Sequence, residues 1–170
     1  MQASRQGPID RKRPAFPFLT FRATPAVLPA ARVAAWISIA VALVLGAWAG
    51  YEPPFDAYTG VAGLLIAAFF LCVVPWLLAR WSGLVDRYPR GLLALGLADT
   101  LLMLVVLPVI TNVAALPTLV LLVVTVVAVL WMLVLRVRIW TYLTGQDWVR
   151  CLLLAVLLLG LETAAQYSLG

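Results

Sequence analysis

Histidine is absent from this chain. That removes imidazole general bases, histidine-ligated haem and histidine-based metal sites together. Charge is nearly as scarce. Only 11% of the 170 residues are Asp, Glu, Lys or Arg, against about 25% in ordinary soluble domains. Lysine occurs once, as Lys12. Cysteine occurs twice, as Cys72 and Cys151. The two lie far apart in apolar runs with no CxxC spacing, so they read as small buried hydrophobes rather than as a disulfide or metal pair. No phosphate loop, nucleophile elbow or zinc-protease motif is written anywhere, and the Ser and Thr hydroxyls have no base beside them. These absences predict a protein that is not an enzyme and that carries no metal and no cofactor.

Apolar residues take the place of what is missing. They make up 65% of the chain, and the mean hydropathy is +1.06. A water-soluble chain of this length exposes too much of its surface to hide so much hydrocarbon. Lipid is the solvent that fits, and the predicted fold is all-α, a polytopic bundle of transmembrane helices.

A helix rises 1.5 Å per residue and the hydrocarbon core is about 30 Å thick, so about 20 apolar residues cross once. Residues 1–30 hold Pro8, Pro14, Pro17, Pro25 and Pro29 among basic residues. They read as a flexible basic tail, because proline removes helix hydrogen bonds. Phe16, Phe18 and Phe21 in this tail are placed either at lipid headgroups or as incidental aromatics. Residues 31–170 form the bundle. Uncharged runs give spans at about 33–51 and 57–79. The 45 residues from Gly91 to Leu135 hold one charge, Asp99, so they divide at Thr111–Pro117 into spans at about 91–112 and 116–135. A fifth span at 148–167 is the shortest apolar run and tolerates Arg150 and Glu162 near its ends. Ala47-Trp48-Ala49 has the form of a signal-peptidase site, but the stretch before its apolar run is roughly 32 residues, longer than a signal peptide uses.

The charges set an orientation. With the N-terminus in the cytoplasm, all twelve basic residues fall in cytoplasmic segments, and the loops at Glu52–Asp56 and Asn112–Leu116 and the C-terminal tail have none. This follows the positive-inside rule and leaves the C-terminus in the periplasm. A four-span reading obeys the same rule with the C-terminus inside. The net charge of +5 is therefore assigned to orientation and to anionic lipids at the cytoplasmic face, with nucleic acid excluded as a partner. Trp48, Tyr51, Phe55 and Tyr58 would mark the outer interface. Trp76, Trp81, Tyr88, Trp140, Tyr142 and Trp148 would mark the inner one.

A few residues stand out against the apolar background. Asp99 is the acid set deep in a span, where a carboxylate is costly and is neutral, hydrated or paired. Arg136, at the cytoplasmic end of the antiparallel fourth span, is the nearest cation, so an Asp99–Arg136 polar pair is expected to tie spans 3 and 4. Glu162 is expected to reach the outer interface, with Gln166 one turn on. Ala42, Gly46 and Gly50 form a small-xxx-small stripe that permits close helix packing. Pro75 and Pro108 fall inside spans 2 and 3 and should kink them.

Several stretches follow, in order and kind, those of a known family. They are Arg90-Gly91-Leu92-Leu93-Ala94-Leu95-Gly96-Leu97-Ala98, then Leu107-Pro108-Val109-Ile110-Thr111-Asn112, then Trp131-Met132-Leu133-Val134-Leu135-Arg136-Val137-Arg138, then a turn with Thr144-Gly145 and a last apolar run. Over about residues 85–160 this resembles the bacterial branch of the Yip (Ypt-interacting protein) family, although Ala98-Asp99-Thr100 stands where that family has an aromatic and proline pattern. The resemblance implies five helices, a cytoplasmic N-terminus and no catalysis, and it transfers no functional residue. The expected function is a non-catalytic scaffold or interaction protein of the bacterial inner membrane, with the lipid bilayer and other membrane proteins as partners. The alternative is a small oligomeric transporter or channel subunit with Asp99, Thr100 and Thr125 along its path, or an accessory subunit of a larger membrane complex.

Overall fold

The computed structural model describes residues 25–28, 32–49, 57–112 and 116–168. The Phe16, Phe18 and Phe21 group, Gly50, Tyr51 and Phe55 lie outside the described residues, as do the side chains of Trp48, Tyr58 and Gln166. All regular structure among the described residues is helical. A short 3-10 turn, Pro25–Val27, precedes five longer elements. Helix α1 is Arg32–Ala49. Helix α2 runs as Ala57–Ala68, a π-helical turn Phe69–Val73, and Val74–Trp81. Helix α3 is Tyr88–Thr111, α4 is Thr118–Thr144 and α5 is Trp148–Tyr167.

Four helical stretches are long and apolar enough to cross a bilayer: Val61–Trp81, Val85–Val109, Thr118–Thr144 and Trp148–Ala165. The chain is a membrane protein on this ground. The apolar stretch of α1, Arg32–Ala47, is shorter. The sequence points to the last run as the weakest span, yet α5 has 20 residues and α1 has 18. The fourth helix also departs from expectation. It runs nine residues beyond Leu135 to Thr144. Arg136 does not end the span as a solvated charge would, because protein surrounds it at 8% exposure.

Pro75 explains the π-helical turn. Proline has no N–H to donate and its ring crowds the preceding turn. The chain widens just ahead of it, and Val74 N–H bonds to the Phe69 carbonyl, five residues back. Neighbouring helices commonly satisfy backbone groups disturbed in this way. Here the Tyr88 hydroxyl of α3 donates to the Cys72 carbonyl at 3.1 Å. At the other proline, Pro108, the Asn112 side-chain amide donates back to the Pro108 carbonyl at 2.8 Å.

Two tight reversals set the topology. Gly145 adopts φ 65°, a left-handed conformation that side-chain-bearing residues avoid, and its N–H caps α4 by donating to the Thr141 carbonyl at 2.9 Å. Asp147 then opens α5, its carboxylate accepting the Arg150 N–H at 2.8 Å. The α2–α3 and α4–α5 connections lie at the same end of the bundle, where Arg87 donates to the Tyr142 carbonyl at 2.8 Å. Arg32 and Trp36 at the start of α1 line a cavity there together with Tyr88 and Pro89 at the start of α3. Arg32, Arg80, Arg87, Arg90 and Arg150 therefore gather at one end of the molecule.

Burial is uneven along the bundle axis. Near the basic end, α3 is enclosed on all sides through Leu92, Leu93, Ala94, Leu95 and Ala98. Helix α1 presents Ala35, Ser38, Ile39 and Ala42 to it, one face at i, i+3, i+4 and i+7. Helices α2 and α5 contribute small residues at the same level, Ala79, Cys151 and Ala155, and small residues let membrane helices approach closely. Toward the other end the side chains turn outward. None of the α4 residues before Met132 is buried, and Leu119, Leu122, Val127 and Leu130 are each more than half exposed. Lipid tails solvate such faces at no cost.

Candidate functional site

Three helices bring charge to one buried point. Asp99 lies eleven residues into α3, about 16 Å along the axis from Tyr88 at 1.5 Å per residue. Arg136 lies eight residues before the end of α4, about 12 Å from the same end of the bundle. Its long side chain joins two carboxylates. Nη1 donates to Glu162 Oε2 of α5 at 2.7 Å, and Nη2 stands 3.8 Å from Asp99 Oδ2. Asp99 is 7% exposed, and the Arg136 neighbours Leu135 and Val137 are fully buried.

Asp99 and Arg136 thus approach to 3.8 Å, beyond hydrogen-bond length. The strong bond goes to Glu162, which the sequence alone places at the outer interface. Glu162 instead folds inward, with its side chain 12% exposed. A carboxylate in hydrocarbon gains more from a guanidinium within reach than from stretching to a distant headgroup. A signal for this was available. The turn at Gly145–Asp147 makes α4 and α5 antiparallel, and an arginine has the length to span the register difference between positions 136 and 162.

Two polar atoms of the cluster, Asp99 Oδ1 and Arg136 Nε, are buried and make no hydrogen bond to other described residues. No group of three or more His, Cys, Asp and Glu residues that could hold a metal ion occurs among the described residues.

The other polar residues of the spans do not extend this cluster into a path. Thr100 turns toward α1 and donates to the Ser38 carbonyl at 3.4 Å. Thr125 is exposed on α4. The Thr141 and Thr144 hydroxyls return to the α4 carbonyls of Val137 and Trp140, each at 2.8 Å.

The small-residue stripe divides, and its Gly50 lies outside the described residues. Ala42 is buried, but a methyl group placed on Gly46 would meet nothing within 4 Å. Two glycines are tight: a Cβ at Gly91 would meet the Leu143 side chain, and one at Gly96 would meet backbone. At Gly96 it would sit 2.8 Å from the Ser38 backbone, so α1 and α3 cross with α3 lacking a side chain at the contact. The aromatic assignments divide as well. Trp76, Trp81 and Trp148 are exposed, and Arg80 stacks 5.5 Å over Trp76. Trp140, by contrast, is a core residue at 2% exposure. Tyr142 is part-buried beneath the Arg87 guanidinium at 5.4 Å.

Cys151 is packed in the core with its thiol 3.6 Å from the Thr144 hydroxyl, and Cys72 is half-buried; both are free thiols. Comparison of the chain with protein-family models, with curated proteins and with solved structures finds no match.

Proposed function

We propose that this protein is a non-catalytic scaffold or interaction protein of a bacterial inner membrane. In this reading all five helices sit in the bilayer, with the N-terminus cytoplasmic and the C-terminus periplasmic, as in the Yip family that residues 85–160 resemble. The basic end, with Arg32, Arg80, Arg87, Arg90 and Arg150, faces the anionic cytoplasmic leaflet. Partner membrane proteins dock on the exposed apolar faces of α4 and α5.

One observation carries the reading. The deep charges of the spans are spent on one another, Arg136 bridging Glu162 and Asp99, while the half of α4 before Met132 has no buried residue. A charge cluster tied across three helices holds a bundle together, and an uncommitted apolar face is free to meet another protein. A transporter or channel subunit would need polar side chains continuing the path from Asp99, and Thr100 and Thr125 point elsewhere.

Orientation and function are tested separately. Reporter fusions after Tyr51, Asn112 and Gly170 are expected to read periplasmic, and fusions after Arg87 and Gly145 cytoplasmic. A cytoplasmic reading at Gly170 removes the odd number of crossings. A photo-crosslinking residue at Val123 or Val127 is expected to capture one discrete membrane protein in cells. Capture of lipid alone, together with ion flux by the purified protein in vesicles, would replace the scaffold with a transporter.

A further inference from the structure

The polar cluster does not balance. Asp99 and Glu162 supply two carboxyl groups and Arg136 one guanidinium. With both carboxyls ionised, one negative charge remains uncompensated inside a membrane protein, where no bulk water solvates it. Among the described residues, the neighbouring elements do not supply the missing cation. Helix α1 has no ionisable residue after Arg32. Between Val61 and Ala79, α2 offers only the Cys72 thiol. Arg90 lies nine residues before Asp99, about 13 Å along α3. On α4, Arg138 lines a separate cavity with Pro25 and Trp148. On α5, Arg150 pairs with Asp147 at the surface.

The geometry separates the two carboxyls. The 2.7 Å contact of Arg136 Nη1 with Glu162 Oε2 has the length of a charge-assisted hydrogen bond. The 3.8 Å contact of Nη2 with Asp99 Oδ2 is beyond hydrogen-bond length. The second Asp99 oxygen, Oδ1, is buried and accepts no hydrogen bond from the described residues. An ionised carboxylate held this way lacks the donors that would stabilise it, whereas a neutral carboxylic acid needs far fewer.

We propose that Asp99 is a proton-binding site: Glu162 is the ionised partner of Arg136, and the Asp99 carboxyl holds one exchangeable proton that brings the cluster to neutrality. A metal cation fits the place poorly, because the guanidinium 3.8 Å from Asp99 repels it and Asp99 Oδ1 alone falls short of a cation's six or more oxygens. Release of the proton breaks the Asp99 O–H bond, sends H⁺ to solvent and leaves a carboxylate. That carboxylate then competes with Glu162 for the Arg136 donors. Arg136 would shift its bonding from α5 toward α3, so proton occupancy is linked to how α5 is held. This inference does not rest on the scaffold reading, since a scaffold and a transporter could each use such a site.

The test is infrared spectroscopy of the purified full-length protein in lipid bilayers at neutral pH, where exposed carboxyl groups are ionised. The native protein is expected to show a C=O stretch of one protonated carboxylic acid, and Asp99→Asn to abolish it. Glu162→Gln is expected to abolish it too, because Arg136 then pairs with Asp99 and that residue gives up its proton. Arg136→Gln should roughly double the band, both carboxyls becoming neutral. Absence of the band in the native protein overturns the proposal, and so does its survival in Asp99→Asn. Survival of the band in Glu162→Gln overturns the charge balance on which the assignment stands. The Glu162→Gln variant decides the question even where Asp99→Asn does not fold.

Discussion

Removal of the Arg136 side chain would leave Asp99 and Glu162 facing each other with no cation between them. Truncating one partner of a buried ion pair costs about 3–5 kcal/mol, so Arg136→Ala should destabilise the protein by about that much. The structure further predicts how the loss divides. With Asp99 holding a proton, the charge attraction lost with Arg136 is chiefly that to Glu162, at 2.7 Å rather than 3.8 Å. The hydrogen bond to the charged Glu162 adds about 1.5–3 kcal/mol. In a double-mutant cycle, Glu162→Gln should therefore relieve much of the Arg136→Ala defect, and Asp99→Asn distinctly less. The assay is reversible unfolding in mixed detergent micelles, with each variant measured alone and in pairs. Additivity of Arg136→Ala and Glu162→Gln to within about 0.5 kcal/mol would mean that the two do not interact, and would refute the tie between α4 and α5. A larger coupling to Asp99 than to Glu162 would refute the ranking of the two contacts.

Two packing predictions use the same unfolding assay. Gly96→Ala drives a methyl group into the Ser38 backbone and should cost about 1–3 kcal/mol as overpacking, whereas Gly46→Ala, in open space, should stay within about 0.5 kcal/mol of the parent. Equal effects at the two glycines would return the close approach to the Gly46 stripe. Tyr88→Phe removes the bond to the Cys72 carbonyl beside the π-helical turn and should cost about 0.6–1.7 kcal/mol, the range for interhelical hydrogen bonds in membranes. A neutral result would mean that the widened turn needs no help from α3.

Hydropathy and charge made the class of this protein legible. An apolar run of about 20 residues can be stable only as a lipid-solvated helix, so the four long helices follow from composition and length. The turn at Thr144–Asp147 was equally local, because a left-handed glycine and an aspartate cap act on their own neighbours. Asp99 and Arg136 drew notice because each breaks an apolar background. Nothing local says where a helix face points, however, and there the sequence misleads. It ends the fourth span at Arg136, because a charge next to the membrane edge is normally solvated. It sends Glu162 outward for the same reason. Arg136 is buried and Glu162 turned inward because α3, α4 and α5 meet at one level and exchange a cation for bulk water. Gly46 faces open space and Gly96 a backbone for the same reason. The two glycines share an equally apolar helical context, and what distinguishes them is whether another backbone, that of Ser38, lies against them. Composition and spacing thus determined that the chain enters a bilayer and about where it turns. Only the tertiary structure decided which side chains face each other, because that depends on the rotation of each helix about its axis, and in a uniformly apolar helix no pattern records that rotation.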